Sequence, residues 1–276
     1  MSDGTSPASS GPAGSHFEGQ VGASYLLSML VGAEPRGLPG TIIDRIAFQR
    51  AAEGFPLDDV IVHAHDASGN AETLEVQVKR DVTFAPKDEV FQKIVGQIAN
   101  ASGTADFWNG RHELGIAISR SSHKIDGPYQ DVLTWARQLG NARTFFDRLQ
   151  RPGLANPDMR EFVKTFRTHL GAAGAQNDDE TVWKLLCRLQ ISVYDFTANG
   201  SASAALAKER AVRALRPGRP TDLPPRSRIG RKPVVCRARA REGARGRAAA
   251  AAEVLGFDER VPGRLHPGGV RRAARV

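Results

Sequence analysis

LDDVIVHAHDASGNAETLEVQVKR, residues 57–80, decides the fold. Val60 to His65 is rich in β-branched residues and reads as a strand, DASGN (66–70) has the polar, Gly-containing chemistry of a hairpin loop, and TLEVQVK (73–79) reads as the returning strand. Side chains alternate along a strand, so Leu74, Val76 and Val78 share one face while Glu75, Gln77 and Lys79 share the other. One face of this hairpin belongs to a core, and the other carries three polar groups in a row.

Working outward, TIIDRIAFQ (41–49) reads as a further strand preceding the hairpin. Before it, Phe17, Val21, Tyr25, Met29 and Leu30 recur at helical spacing in FEGQVGASYLLSMLVG, from about His16 until Gly32, Pro35, Gly37 and Pro39 end the helix. After the hairpin, KDEVFQKIVGQIANA (87–101) places Val90, Phe91, Ile94, Val95 and Ile98 on one helical stripe, and ELGIAISR (113–120) suits a buried strand. The order α-β-β-β-α-β predicts an α/β (α+β) mixed sheet flanked by helices. Residues 128–215 read as all-helical: segments around Tyr129–Leu139, Phe145–Leu149, Met159–Leu170, Glu180–Leu189 and Ser203–Leu215, separated by Gly and Pro. The expected organisation is a Ser/Gly/Ala/Pro-rich flexible leader at 1–15, an α/β core at 16–127, a helical extension packed on it at 128–215, and a tail at 216–276.

Charge separates the tail from the rest. The 276 residues carry a net charge of +8, yet residues 1–200 hold 19 basic against 24 acidic residues and residues 201–276 hold 19 against 6. Arg, Ala, Gly and Pro make up 40 of the 61 residues from Arg216 onward, with no hydrophobic period. Such a mixture is what an out-of-frame reading of a GC-rich gene produces; the other reading is a disordered basic arm that neutralises phosphates. The basic balance of the whole chain is therefore no argument for nucleic-acid binding by the folded part. Cys187 and Cys236 lack CxxC spacing, which argues against a zinc finger or disulfide scaffold, and no apolar run approaches a membrane span. A cytoplasmic location is expected, since the N-terminus lacks the pattern of a signal peptide.

The polar face of the hairpin is where chemistry is expected. Metal-dependent hydrolysis of a phosphodiester needs a carboxylate to hold a divalent ion, a second oxygen ligand, and a cation that orients the attacking water and offsets charge on phosphorus. Asp59, Gln77 and Lys79 supply these in order, with the Val78 backbone carbonyl as another oxygen donor, Asp58 as the fallback carboxylate and Glu75 in support. Mg2+ or Mn2+ is the expected ion. A solvated polar face with Lys79 and Glu75 in a surface ion pair is the bland alternative.

The opening FEGQVGASYLL helix, LDDVIV, LEVQVKR, the Phe91 helix and RLQISVYDF together resemble the PD-(D/E)xK restriction-endonuclease-like superfamily, over residues 16 to 215. Within it the chain resembles the DNA endonuclease domain associated with CD-NTases in anti-phage defence proteins. The resemblance implies a restriction-endonuclease-like mixed sheet, Mg2+-dependent cleavage of double-stranded DNA, and an acidic residue near the metal on the first helix, here Glu18. It also implies a following sensor or NTPase module, which this sequence does not show, and allows a homo-oligomer. Gln77 departs from the pattern, standing where Asp or Glu is usual, so a catalytically degenerate DNA-binding or oligomerisation module is the alternative function. Arg80, Lys93, Arg120 and Lys124 are candidate phosphate contacts. His63 and His65 lack a third ligand at suitable spacing, Ser119, Ser121 and Ser122 beside His123 lack a nucleophile elbow, and no P-loop or dinucleotide fingerprint occurs.

Overall fold

Five strands form one mixed sheet in the order β1 (Thr41–Phe48), β2 (Val60–Asp66), β3 (Ala71–Val78), β4 (Arg111–Ile118) and β5 (Leu189–Val193). The computed structural model describes residues 12–196 and 200–215, together with Ala250, Ala251 and Val254. β1, β2 and β3 pair antiparallel, whereas β3, β4 and β5 run parallel. The parallel pairs require crossovers, and the helical segments supply them. The 66–70 loop closes as the sequence predicts: Asp66 accepts from the backbone of Ser68 and Asn70 at 2.8 Å each.

Helix α1 (Pro12–Val31) covers one face of the sheet, where Phe17, Val21 and Tyr25 meet Val60, Val62, Leu74, Val76 and Val78 in one core. A bulge between Ile43 and Arg45 changes the parity of β1, so that Ile43 before it and Ile46 after it both face this core. On the other face lie α2 (Glu89–Ser102), the short α3 (Ala105–Asn109), a π-helical turn at Ile125–Tyr129, α4 (Gln130–Gln138), α5 (Ala142–Gln150), α6 (Pro157–Ala172) and α7 (Asp179–Arg188), which share a larger core with Leu114, Ile116 and Ile118. Helix α8 (Ala202–Leu215) packs along α1 through Ala207 and Ala211 against Ala23 and Leu27, and Ala251 is buried with them.

Three sequence expectations change, and the bland alternative for β3 falls. Helix α1 begins at Pro12, ahead of His16, because a proline in the first turn gives up an N–H that has no partner in the helix; residues 1–11 of the expected leader lie outside the described residues. The segment expected to be all-helical contains β5, whose Leu189 and Ile191 join the same core as Leu114 and Ile116, so residues 128–215 complete the sheet as well as packing on it. Helix α3 was not foreseen; five residues carry too little periodicity to read. The polar face of β3 is not solvated, since the α2–α7 layer covers it: Glu75 is 1% and Gln77 3% exposed. The expectations for the tail at 216–276 lie outside the described residues, apart from Ala250, Ala251 and Val254. Among the described residues no helix is long and apolar enough to cross a membrane.

Candidate active site

Asp59 is the residue before β2, and the antiparallel register that sets Val60 opposite Val76 brings it beside the end of β3. Its Oδ2 accepts three hydrogen bonds: from Gln77 Nε2 at 2.5 Å, from the Val78 amide at 2.7 Å and from Lys79 Nζ at 3.1 Å. Lys79 Nζ also donates to the Val78 carbonyl at 3.0 Å. The three side chains singled out in the sequence therefore meet at one oxygen atom. The Asp59 side chain is 12% and that of Lys79 33% exposed, so the ammonium reaches solvent while the carboxylate stands behind it. Burial raises the Asp59 pKa above its ordinary value, and the Lys79 charge and the Val78 amide oppose that rise. Asp58, the fallback, adds repulsion that also disfavours the Asp59 anion.

Gln77 is the unusual member. With Nε2 given to Asp59, its Oε1 is buried with no hydrogen-bond partner, a situation that costs about 1–3 kcal/mol. A half-turn of the amide would set Oε1 against the Asp59 carboxylate, which is favourable only when a cation or a proton lies between the two oxygens. Gln77 Oε1, the Asp59 carboxylate and the Val78 carbonyl are hard oxygen donors of the kind Mg2+ or Mn2+ takes, so the residues present fit such an ion. Only one of the three carries charge. Among the described residues no group of three or more His, Cys, Asp or Glu is placed to hold a metal.

Glu75, expected to support the metal, has other partners. Its Oε2 accepts from the Leu57 amide at 3.1 Å and its Oε1 bonds His112 Nε2 at 2.6 Å. The surface pair of Glu75 with Lys79 is thereby replaced by two separate pairs, Lys79 with Asp59 and His112 with Glu75. Sequence reasoning missed His112; a single histidine opening a strand leaves no periodic signal. Glu18 sits half-buried on α1, the helix that covers the sheet face opposite to Gln77. His63 bonds Arg45 and packs edge-on to Phe55, and His65 bonds Asp44, as packed or exposed histidines do. Burial and then the Arg45 charge lower the His63 pKa.

The candidate phosphate contacts divide into two groups. Arg80 and Arg120 follow the C-terminal ends of the parallel strands β3 and β4, next to Lys79, and the Arg80 carbonyl ties those ends together by accepting from Ser119 N at 3.1 Å and Oγ at 2.9 Å. The Arg120 side chain is largely exposed, with Asp81 at 3.8 Å. Lys124 instead pairs with Asp158 at 2.7 Å, and that bond raises its pKa. Lys93 is exposed on α2. No known family model, curated protein or solved structure matches this chain.

Proposed function

We propose that this chain is a metal-dependent endonuclease domain that hydrolyses phosphodiester bonds in double-stranded DNA. The observation that carries the reading is the convergence of Asp59, Gln77 and Lys79, from two strands, on one part-buried carboxylate oxygen at the end of β3. Asp59, Gln77 Oε1 and the Val78 carbonyl would hold the divalent ion, which when bound supplies a Lewis acid beside the phosphorus. Lys79 holds a positive charge at the solvent edge of the site, where it can orient water and offset charge gathering on a phosphate. Arg80 and Arg120 offer cations at the same strand ends for the DNA backbone. The defence context, a sensor module and a homo-oligomeric state rest on the resemblance alone.

The test is plasmid nicking. The purified protein should nick or degrade plasmid in Mg2+ and stop in EDTA, and Lys79→Ala should abolish cleavage while the circular dichroism spectrum stays unchanged. Undiminished cleavage by that variant removes the assigned site.

A second reading, a catalytically silent DNA-binding module, is favoured by one observation: the Asp59 oxygen facing β3 is already filled by three donors. Titration calorimetry with Mn2+ separates the two, because only the nuclease reading expects heat that disappears in Asp59→Asn.

A further inference from the structure

The carboxylate of Asp59 stands on a stretch of chain that the sheet does not hold. The β2–β3 ladder ends with Val60 opposite Val76, so Leu57, Asp58 and Asp59 run on past β3 outside the register. Along β3 successive amides point to opposite sides. The Lys79 amide donates to the Ala117 carbonyl of β4 at 2.9 Å, and the Val78 amide, turned the other way, finds the Asp59 carboxylate at 2.7 Å where a strand would otherwise lie. A side chain thus takes the place of a ladder bond, and it can do so only while its own backbone is fixed.

What fixes that backbone is a buried carboxylate. The Asp58 carbonyl accepts only a long bond, 3.4 Å, from the amide of the exposed Arg50. The Leu57 amide donates to Glu75 Oε2 at 3.1 Å, and the other Glu75 oxygen bonds His112 Nε2 at 2.6 Å. Glu75 therefore links the segment ahead of β2 to β4, across the strand on which it sits. His112 is held in turn by its ring, which tilts against Phe107 at 4.9 Å between centroids. An apolar side chain at position 75 could fill the same space under the helices without the cost of burying a charge. What the carboxylate adds is two directed, charge-assisted bonds, and one of them goes to the segment that carries Asp59. We propose that Glu75, braced by His112, is a positioning residue for Asp59: it fixes residues 57–59 so that the Asp59 carboxylate meets Gln77, Val78 and Lys79 at one point. The consequence for metal binding and cleavage rests on the nuclease reading; the positioning itself does not.

Hydrogen exchange of the metal-free full chain, followed by NMR, tests it. The Val78 amide is the reporter, and the Lys79 amide beside it, which bonds β4 and not Asp59, is the control. Glu75→Leu should speed Val78 exchange about tenfold or more relative to Lys79, the loss of one hydrogen bond. Glu75→Gln, which can still bond both neighbours, should restore most of the protection. His112→Phe keeps a ring against Phe107 but removes the brace, so it should move the ratio about threefold in the same direction. It carries the test if the leucine variant does not fold. A role in stability alone would speed both amides together. Mn2+ affinity by calorimetry should fall in the same ranking. If the wild type neither binds Mn2+ nor cleaves plasmid, the nuclease reading fails and the exchange ratio still decides the positioning role. That role is overturned if every folded variant keeps the wild-type ratio, or if Glu75→Gln loses as much protection as Glu75→Leu.

Discussion

Glu75 and Gln77 stand two residues apart on the same face of β3, both sealed from water, and they meet opposite fates. Both Glu75 oxygens are bonded, one to the Leu57 amide and one to the His112 ring. Gln77 makes one bond, to Asp59, and leaves its carbonyl oxygen with none. A satisfied polar group under a helical layer secures the fold; an unsatisfied one two positions along, beside a carboxylate and a part-exposed ammonium, bears the cost of its burial uncompensated. The Glu75 pair also reaches the site indirectly, because the Leu57 amide it holds lies two residues before Asp59.

The sharpest way to break this contrast is to remove Glu75. Glu75→Ala strands His112 and the Leu57 amide beneath the helices and should cost about 3–5 kcal/mol in urea unfolding, the penalty of breaking a buried pair by one partner. Glu75→Gln, which can still bond both neighbours, should lose clearly less. A cost below about 1 kcal/mol for the alanine variant would show that the dyad is not structural.

Lys79→Ala should do the reverse. Its ammonium is one-third exposed, so stability should change by no more than about 1 kcal/mol, whereas plasmid cleavage should disappear, a fall of at least about 10^2–10^3-fold as a cation is lost from the site. Comparable losses in both assays would erase the distinction between the two clusters.

Gln77→Glu sharpens the comparison from the other side. A second carboxylate beside Asp59 should destabilise the metal-free protein by about 1–3 kcal/mol through repulsion and desolvation. Millimolar Mg2+ should restore the loss, seen as a rise in Tm larger than the wild type shows. A Tm indifferent to Mg2+ would count against a cation between the two side chains.

The smallest effect is in pH. Burial holds the Asp59 carboxyl above its ordinary value of 3.8, so the protonated form favours folding. That contribution is complete below the unfolded-state value and disappears as pH rises through the folded-state one. The stability of the wild type relative to Asp59→Asn should therefore fall as pH climbs from 3.8, then level off, when both are unfolded in urea without divalent ions. A difference that grows over that interval would mean that Lys79 outweighs burial.

Much of this was legible along the chain. The β2–β3 hairpin was readable because a strict period of two and a Gly-containing loop leave few alternatives, and the same period set Gln77 and Lys79 on one face. Most of the helices after β4 announced themselves by apolar spacing between Gly and Pro breaks, and the structure adds that Asn141, Asn156 and Asp178 cap three of them. β5 was hidden because LQISV directly continues the amphipathic α7, and five residues show no decisive period. Glu75 was misjudged for a different reason: its partner His112 lies 37 residues away, across a parallel pairing that no local pattern encodes.

Local chemistry alone determined which residues of β3 share a strand face, where most of the helices lie, and that a carboxylate, an amide and an ammonium are available on adjoining strands. Only the tertiary structure decided which of them touch, because burial by the α2–α7 layer removes water as a partner and forces each polar atom to find another or go without. That competition pairs Glu75 with His112, draws Lys79 to Asp59, and leaves Gln77 Oε1 unanswered.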